Sequence, residues 1–355
     1  MELPAVTPPG SGQRHPAKDS FLLSVVIPFY NEEQVIPELI RRVTETVTAL
    51  GIKAEMVLVN DGSTDQTLPL LLSLSRVQPE LRIINLTRNF GHMEALSAGM
   101  AAAKGDAMVI LDGDLQDPPE LIGPMLEEWR RGADIVLGLR TERRESLWQR
   151  AGTAFFYWFL AKFARIPIPT NAGTFSLMNR WVAQQILRMP ERRRFFAGLR
   201  AWTGGRIAHV EYKRLDRPYQ KSRVGLRGLI SLARTAIISF TTFPLRLASA
   251  LALLSGLILF GVGAAAIVIR AVTNLAIPGW ATYTTMIGMM GFVQSLLLAV
   301  ISEYLAVIFD EIKARPIYLV REEFRSGERR APSEDPVPPE GSAPGARSPR
   351  DPGAA

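Results

Sequence analysis

The sequence predicts an α/β domain with a mostly parallel sheet, followed by amphipathic interface helices and a two-helix transmembrane hairpin. Three observations carry this reading. Five short apolar runs between Leu22 and Gly138 alternate with amphipathic stretches, two long stretches further on carry no charge, and both ends are rich in Pro, Gly and charged residues.

The first twenty residues lack an apolar run of the length a secretory signal needs, so residues 1–20 read as a disordered leader. The apolar runs LLSVVIP (22–28), EMVLVN (55–60), LRIINL (81–86), AMVILD (107–112) and ADIVLG (133–138) are short and continuous. Amphipathic segments such as EEQVIPELIRRVTETVTAL separate them, the pattern of strands buried on both faces and linked by helices. The catalytic-domain boundary is placed at 21–225, with an interface helix at about 146–166 where seven aromatic residues lie among Arg and Lys. A buried helix of the same apolar content is the competing reading.

A juxtamembrane amphipathic helix is expected over 226–245. Leu247 to Ile269 is uncharged and bracketed by Arg246 and Arg270, long enough at 1.5 Å per residue to cross a bilayer core of about 30 Å. A second span is placed at about 282–309 after a turn at Pro278-Gly279, completing a membrane unit over 246–310. Arg223, Arg227, Arg234 and Arg246 precede the pair and Lys313, Arg315 and Arg321 follow it, while the connecting loop carries only Arg270. The positive-inside rule then makes this a multi-pass plasma-membrane protein with its α/β domain and both termini in the cytoplasm. Residues 311–324 form a cytosolic segment, and 325–355 have too little to bury to hold a fold.

Composition narrows the function classes. The chain has 355 residues, 47% hydrophobic, with no cysteine and 41 Lys+Arg against 34 Asp+Glu, a net charge of +7. That excludes a disordered chain, a collagen-like repeat and a disulfide scaffold. The cations cluster beside the membrane segments and not along a soluble face, which argues against nucleic-acid binding.

Ligands of parallel sheets bind outside the carboxyl ends of the strands. The first run is followed by Pro28-Phe29-Tyr30-Asn31-Glu32 and the second by Asn60-Asp61-Gly62-Ser63, turns that also serve as ordinary strand–helix punctuation. After the fourth stands Asp112-Gly113-Asp114-Leu115-Gln116-Asp117, three carboxylates within six residues. Like charges so close repel unless a cation compensates, and hard carboxylate oxygens suit Mg²⁺ or Mn²⁺ bridging a diphosphate. Asp117 is also placed to cap a helix starting at Pro118. No G-x-G-x-x-G follows the first strand, no G-x-x-x-x-G-K-[ST] occurs, and the three histidines lack metal-ligand spacing.

The strings VVIPFYNEE, VNDGSTDQT and LTRNFGHMEALSAGMAAAKGDAMVILDGDLQDPPE, with Arg315-Pro316-Ile317-Tyr318 after the membrane segments, resemble the family 2, GT-A fold polyisoprenyl-phosphate glycosyltransferases over residues 22 to 322. The resemblance implies a Rossmann-like GT-A domain. It places Pro28, Tyr30, Asn31 and Glu32 around a nucleotide pocket, Asp61 on the base or ribose, and Arg88, Asn89, His92 and Gly113 along the donor site. It also implies that Asp112 and Asp114 hold the metal on the donor diphosphate, with Gln116 and Asp117 next to the sugar as the remaining catalytic residues. Arg217, Ser222 and Arg223 match a segment expected to meet the lipid phosphate or the donor diphosphate, where Lys221-Ser222-Arg223 replaces a Gly-x-Ser flanked by cations. Attraction to anionic headgroups is the competing role for those cations. Assembly through the membrane segments is a further implication, with Glu303-Tyr304 as a candidate intersubunit or structural contact; snorkelling of Glu303 to the interface is the competing reading.

One departure bears on mechanism. Many relatives carry Gly-Asp-Phe-Arg-Leu where this chain reads Gly173-Thr174-Phe175-Ser176-Leu177, so the Asp commonly assigned as a base is absent. A phosphate monoester has a second pKa near 6 and needs no base at pH 7, so the loss suits a lipid-phosphate acceptor; altered donor selectivity is the other reading. The expected reaction is inverting transfer from a UDP-sugar such as UDP-glucose, or from GDP-mannose, to a polyprenyl phosphate such as undecaprenyl phosphate. The alternative is a non-catalytic lipid-binding or scaffold protein derived from this fold. A processive polysaccharide synthase is not supported, because the nearest string to Gln-x-x-Arg-Trp, Leu199-Arg200-Ala201-Trp202, lacks the Gln.

Overall fold

The computed structural model describes residues 21–141, 172–192, 194–213, 243–273, 279–326 and 328–330. The first four apolar runs become β1 (Leu22–Phe29), β2 (Lys53–Asn60), β3 (Leu81–Leu86) and β4 (Ala107–Ile110), all parallel, with β1 between β2 and β4 and β3 outside β2. Helices α1 (Ile36–Leu50), α2 (Thr67–Val77) and α3 (His92–Ala102) provide the crossovers, and α4 (Ile122–Arg130) follows β4.

The runs are continuous rather than alternating because both faces of the sheet are covered. Val25, Ile27, Leu58 and Ile83 face a layer holding Leu39 and Ile40 of α1 and Trp129 of α4, whereas Val26, Val57, Val59 and Ile110 face Leu96 and Met100 of α3. These side chains are at most 1% exposed, and each fully buried aliphatic or aromatic group contributes about 1.5–3 kcal/mol. Helix α1 turns Ile36, Leu39, Ile40 and Val43 inward at helical spacing and ends at Gly51 in the left-handed region.

The rest of the sheet departs from the expected mostly parallel arrangement. The fifth run forms β5 (Ile135–Arg140), but β6 (Ala172–Asn179) lies between it and β4, antiparallel to both. Strand β7 (Ile207–Tyr212) adds parallel to β5. At the other edge β8 (Val320–Arg325) runs antiparallel to β3 and carries β9 (Glu328–Arg330). The order is β7-β5-β6-β4-β1-β2-β3-β8-β9, and the sheet is mixed. A returning strand pairs antiparallel with its neighbours, and β6, interrupted by Gly173, Thr174 and Ser176, lacks the apolar run that marks β1 to β4. Helices α5 (Arg180–Arg188) and α6 (Phe196–Trp202) pack Val182, Ile186 and Leu199 on the α3 side. Strand pairing reaches Arg330, a few residues into the segment expected to be a tail.

Beyond the sheet run two long helices, α7 (Phe243–Thr273) and α8 (Trp280–Ile312). Among the described residues one stretch, Met286–Ile312, is long and apolar enough to cross a membrane; Leu247–Ile258 in α7 is apolar over a shorter length. The two-span reading is therefore met by a single candidate span. Its large apolar side chains, among them Ile287, Phe292, Leu298 and Ile308, are exposed, as a lipid-facing surface would be. The leader, the expected interface helix at 146–166, nearly all of the juxtamembrane segment 226–245 and the tail beyond Arg330 lie outside the described residues.

Candidate active site

The carboxyl ends of β1, β2, β3 and β4 meet at one edge of the sheet, and their loops are stitched together by side chains. Asn31, in the left-handed region at φ 53°, donates its backbone N–H to Ser63 Oγ at 3.0 Å and accepts from the Thr64 N–H at 2.8 Å. The N–H of buried Glu32 donates to Thr67 Oγ1 at 3.0 Å. Tyr30 stands beside them, 37% exposed, while Pro28 is buried near the end of strand β1.

Asp61 is buried at the end of β2 and clamps the loop after β3. Its Oδ1 accepts from the Phe90 N–H at 2.8 Å and its Oδ2 from the Gly91 N–H at 3.0 Å. Burial pushes its carboxyl above the ordinary value, opposed by those two donors and by His92 and Arg88. Gly62, at φ 64°, lets the clamp close, since a Cβ there would lie 2.3 Å from the Arg88 carbonyl carbon.

The clamp sets the start of α3, so that His92 Nε2 sits 3.3 Å from Asp112 Oδ1. Desolvation at the sheet edge works against charge on His92, whose side chain is 42% exposed, but the close approach to Asp112 and the Asp112, Asp114 and Asp61 carboxylates hold the imidazole above its ordinary value. Asp112 and Asp114 leave the end of β4 on either side of Gly113, and Asp114 is 8% exposed with its Oδ1 accepting from the Gln116 N–H at 3.1 Å. A Cβ on Gly113 would meet the Pro28 carbonyl oxygen at 2.7 Å and the Phe29 ring at 2.8 Å. Only glycine lets this loop press against the end of β1. Leu115 follows in the left-handed region at φ 59°, a conformation costing a non-glycine residue about 1–2 kcal/mol.

Asp117 does not cap the helix that follows. That turn, Pro119–Leu121, has no side-chain cap, and Asp117, fully buried, accepts instead from the Tyr212 hydroxyl at the end of β7. Arg140, at the end of β5, donates its Nε to the same hydroxyl at 3.2 Å and places its Nη2 3.7 Å from Asp117 Oδ1. Burial and then the Asp117 carboxylate push the Tyr212 phenol above its ordinary value. Burial opposes charge on Arg140, yet Asp117 and Tyr212 hold it raised. Neither Arg140 nor Tyr212 is marked by the sequence patterns, because Tyr212 lies 95 residues from Asp117. Their only signal is a polar residue ending a strand.

In the divergent Gly-Thr-Phe-Ser segment, Ser176 is fully buried and accepts from Arg200 Nη1 at 2.8 Å, while Arg200 Nη2 donates to the Gly173 carbonyl at 3.1 Å. A guanidinium from α6 thus braces the backbone of β6. Arg88 and Asn89 are exposed, and Arg88 turns away to lie 4.1 Å over the Phe90 ring. Arg217, Ser222 and Arg223 lie outside the described residues.

The carboxylates of Asp112 and Asp114 are too few to enclose an ion by themselves. Among the described residues no group of three or more His, Cys, Asp or Glu side chains is arranged to hold an ion. Two carboxylates cannot form an all-protein cage, but they fit an ion that takes its other oxygens from phosphate and water, as Mg²⁺ or Mn²⁺ does.

Residues 24–187 match the profile of glycosyl transferase family 2. The uncharacterised glycosyltransferase sll0501 of Synechocystis sp. is 40% identical over 299 residues, covering 84% of this chain and 94% of that protein. The uncharacterised glycosyltransferase YkcC of Bacillus subtilis is 36% identical over 306 residues, covering 85% and 94%. The SfII prophage-derived bactoprenol glucosyl transferase of Shigella flexneri is 36% identical over 304 residues, covering 85% and 98%.

Proposed function

The chain belongs to glycosyl transferase family 2 and is a glycosyltransferase, and from that premise we propose that it transfers glucose from UDP-glucose to a polyprenyl phosphate at the cytosolic face of the plasma membrane. The observation that carries the reading is the Asp112-Gly113-Asp114 turn at the end of β4, pressed against β1 by Gly113. The relatives named bactoprenol glucosyl transferase support the lipid acceptor and the sugar.

The proposed reaction is a single inverting displacement. An oxygen of the lipid phosphate attacks the anomeric carbon, the bond from that carbon to the diphosphate oxygen breaks, and UDP leaves with the electron pair. The acceptor is already ionised at pH 7, so no proton need be removed and Thr174 can stand where a base is common. Asp112 and Asp114 would hold Mg²⁺ or Mn²⁺, and such an ion would supply charge neutralisation at the leaving diphosphate. His92 orients Asp112, and Tyr30, Asn31, Glu32 and Asp61 with its clamped loop shape the nucleotide pocket. Gln116 and Asp117, the latter fixed by Tyr212 and Arg140, face the sugar. Positioning and charge stabilisation supply the catalysis. Arg217, Ser222 and Arg223 are assigned to the lipid phosphate or the donor diphosphate.

In the same reading α7 and α8 form the membrane hairpin, residues 21–225 form the catalytic domain, and both termini are cytoplasmic. The test is to incubate detergent-purified protein with undecaprenyl phosphate, Mg²⁺ or Mn²⁺ and labelled UDP-sugars or GDP-mannose, then count label in the organic extract. Transfer from UDP-glucose, lost with chelator and in Asp112→Ala, is the expected result. No transfer from any donor by folded protein that binds the lipid would overturn the proposal.

A further inference from the structure

A cleft of about 300 Å³ opens where the membrane-length segment of α8 ends against the catalytic sheet. Four cations line it: Arg88 from the loop after β3, Arg192 from the turn after α5, and Lys313 and Arg315 just past α8. Two carboxylates, Glu94 and Asp310, share the wall, leaving an excess of two positive charges from those six groups. None of the four cations has a carboxylate within salt-bridge distance among the described residues, unlike Arg82, whose Nε lies 2.7 Å from Glu323. Arg88 and Lys313 instead each lie 4.1 Å from an aromatic centroid, over Phe90 and Phe309.

The walls are tied together. Glu311 Oε1 accepts from the Arg192 N–H at 2.8 Å, joining the end of α8 to the turn after α5, and the Thr87 N–H donates to the Leu319 carbonyl at 3.0 Å. Phe90, Pro316 and Ile317 make the remaining lining apolar. The cleft is thus cationic and partly apolar, stands at the boundary of the candidate membrane span, and sits beside the loop that leads into His92 and Asp112.

We propose that this cleft is a capture site for the phosphomonoester head of a membrane lipid, holding it where it leaves the bilayer before it reaches the reacting position. The inference rests on the acceptor reading above and adds a site to it. A phosphomonoester carries nearly two negative charges at pH 7, and guanidinium forks match its oxygens. The apolar wall suits the first carbons of the lipid chain and gives a nucleotide diphosphate nothing comparable.

The test uses full-length protein and the paired variant Lys313→Gln/Arg315→Gln, with the charge-preserving pair Lys313→Arg/Arg315→Lys as control. Binding of farnesyl phosphate in detergent is read by ³¹P line broadening, and UDP binding is read in parallel. The expected result is a tenfold or greater loss of farnesyl phosphate affinity in the glutamine pair, with UDP affinity within twofold of wild type and the control pair near wild type. In turnover assays the KM for lipid phosphate rises while kcat and the donor KM hold. Unchanged farnesyl phosphate affinity in a glutamine pair that melts like wild type would overturn the site. So would equal competition by inorganic phosphate or by phosphatidylglycerol, which would mean a free-ion or general headgroup surface. A loss confined to UDP would reassign the cleft to the donor. Because binding is read without turnover, failure of sugar transfer would count against the proposed reaction and not against this site.

Discussion

Arg82 on β3 and Glu323 on β8 form a salt bridge, Nε to Oε1 at 2.7 Å, across 241 residues of chain, and each side chain is only 9% exposed. The pair fastens the strand that follows α8 to the catalytic sheet. Removing one partner leaves a buried uncompensated charge, which costs about 3–5 kcal/mol. Glu323→Ala should therefore lower the unfolding midpoint sharply, whereas the apolar pair Arg82→Met/Glu323→Leu should recover most of the loss. A double-mutant comparison of denaturation midpoints in detergent checks this, and equal losses for single and double variants would refute it.

Asp61 accepts from two backbone N–H groups with its two oxygens. Asp61→Asn replaces one acceptor by a donor facing a part-buried N–H, so about 1 kcal/mol or more of stability should be lost. The loop that carries Arg88 and His92 should loosen with it. Hydrogen exchange at Phe90 and Gly91 should accelerate in the variant, and unchanged exchange would show that the clamp is dispensable.

Tyr212→Phe removes the hydroxyl shared by Asp117 and Arg140, which should cost about 1–3 kcal/mol at neutral pH. The Tyr212 phenol is raised above its ordinary value of 10.0, so the fold favours the protonated form. Its stabilisation is complete below that value and fades as the pH rises through the folded one. The difference in melting temperature between wild type and variant should hold steady up to about pH 10 and shrink above it; a gap that widened with alkali would contradict the assignment.

Asp114→Ala should cut turnover by at least a hundredfold while circular dichroism stays close to wild type, since the hydrogen bond it gives up, from the Gln116 N–H, lies within its own turn. EDTA should abolish wild-type turnover, and Mg²⁺ or Mn²⁺ should restore it. Full activity in the variant or in chelator would remove the metal from the proposal.

Gly113→Ala should impair activity although it removes no polar group, because its Cβ would meet the Pro28 carbonyl oxygen at 2.7 Å. The loop carrying Asp112 and Asp114 must then shift by several tenths of an ångström, and kcat should fall at least tenfold. Wild-type kcat would show that the seat against β1 is not needed.

The four parallel strands, their covering helices and the acidic turn after β4 are legible in the sequence because they depend on local patterns: continuous apolar runs, helical spacing, and Asp and Gly at strand ends. The apolar length of Met286–Ile312 is a local property too. What the tertiary structure decided are pairings between residues far apart in the chain. Strand β6 returns antiparallel and makes the sheet mixed, Tyr212 reaches Asp117 across 95 residues, and Arg200 braces the divergent Ser176 from another helix. Glu323, beyond the candidate membrane span, closes on Arg82. Such contacts leave no periodicity, because a hydrogen bond or ion pair constrains two positions in space and nothing about the residues between them.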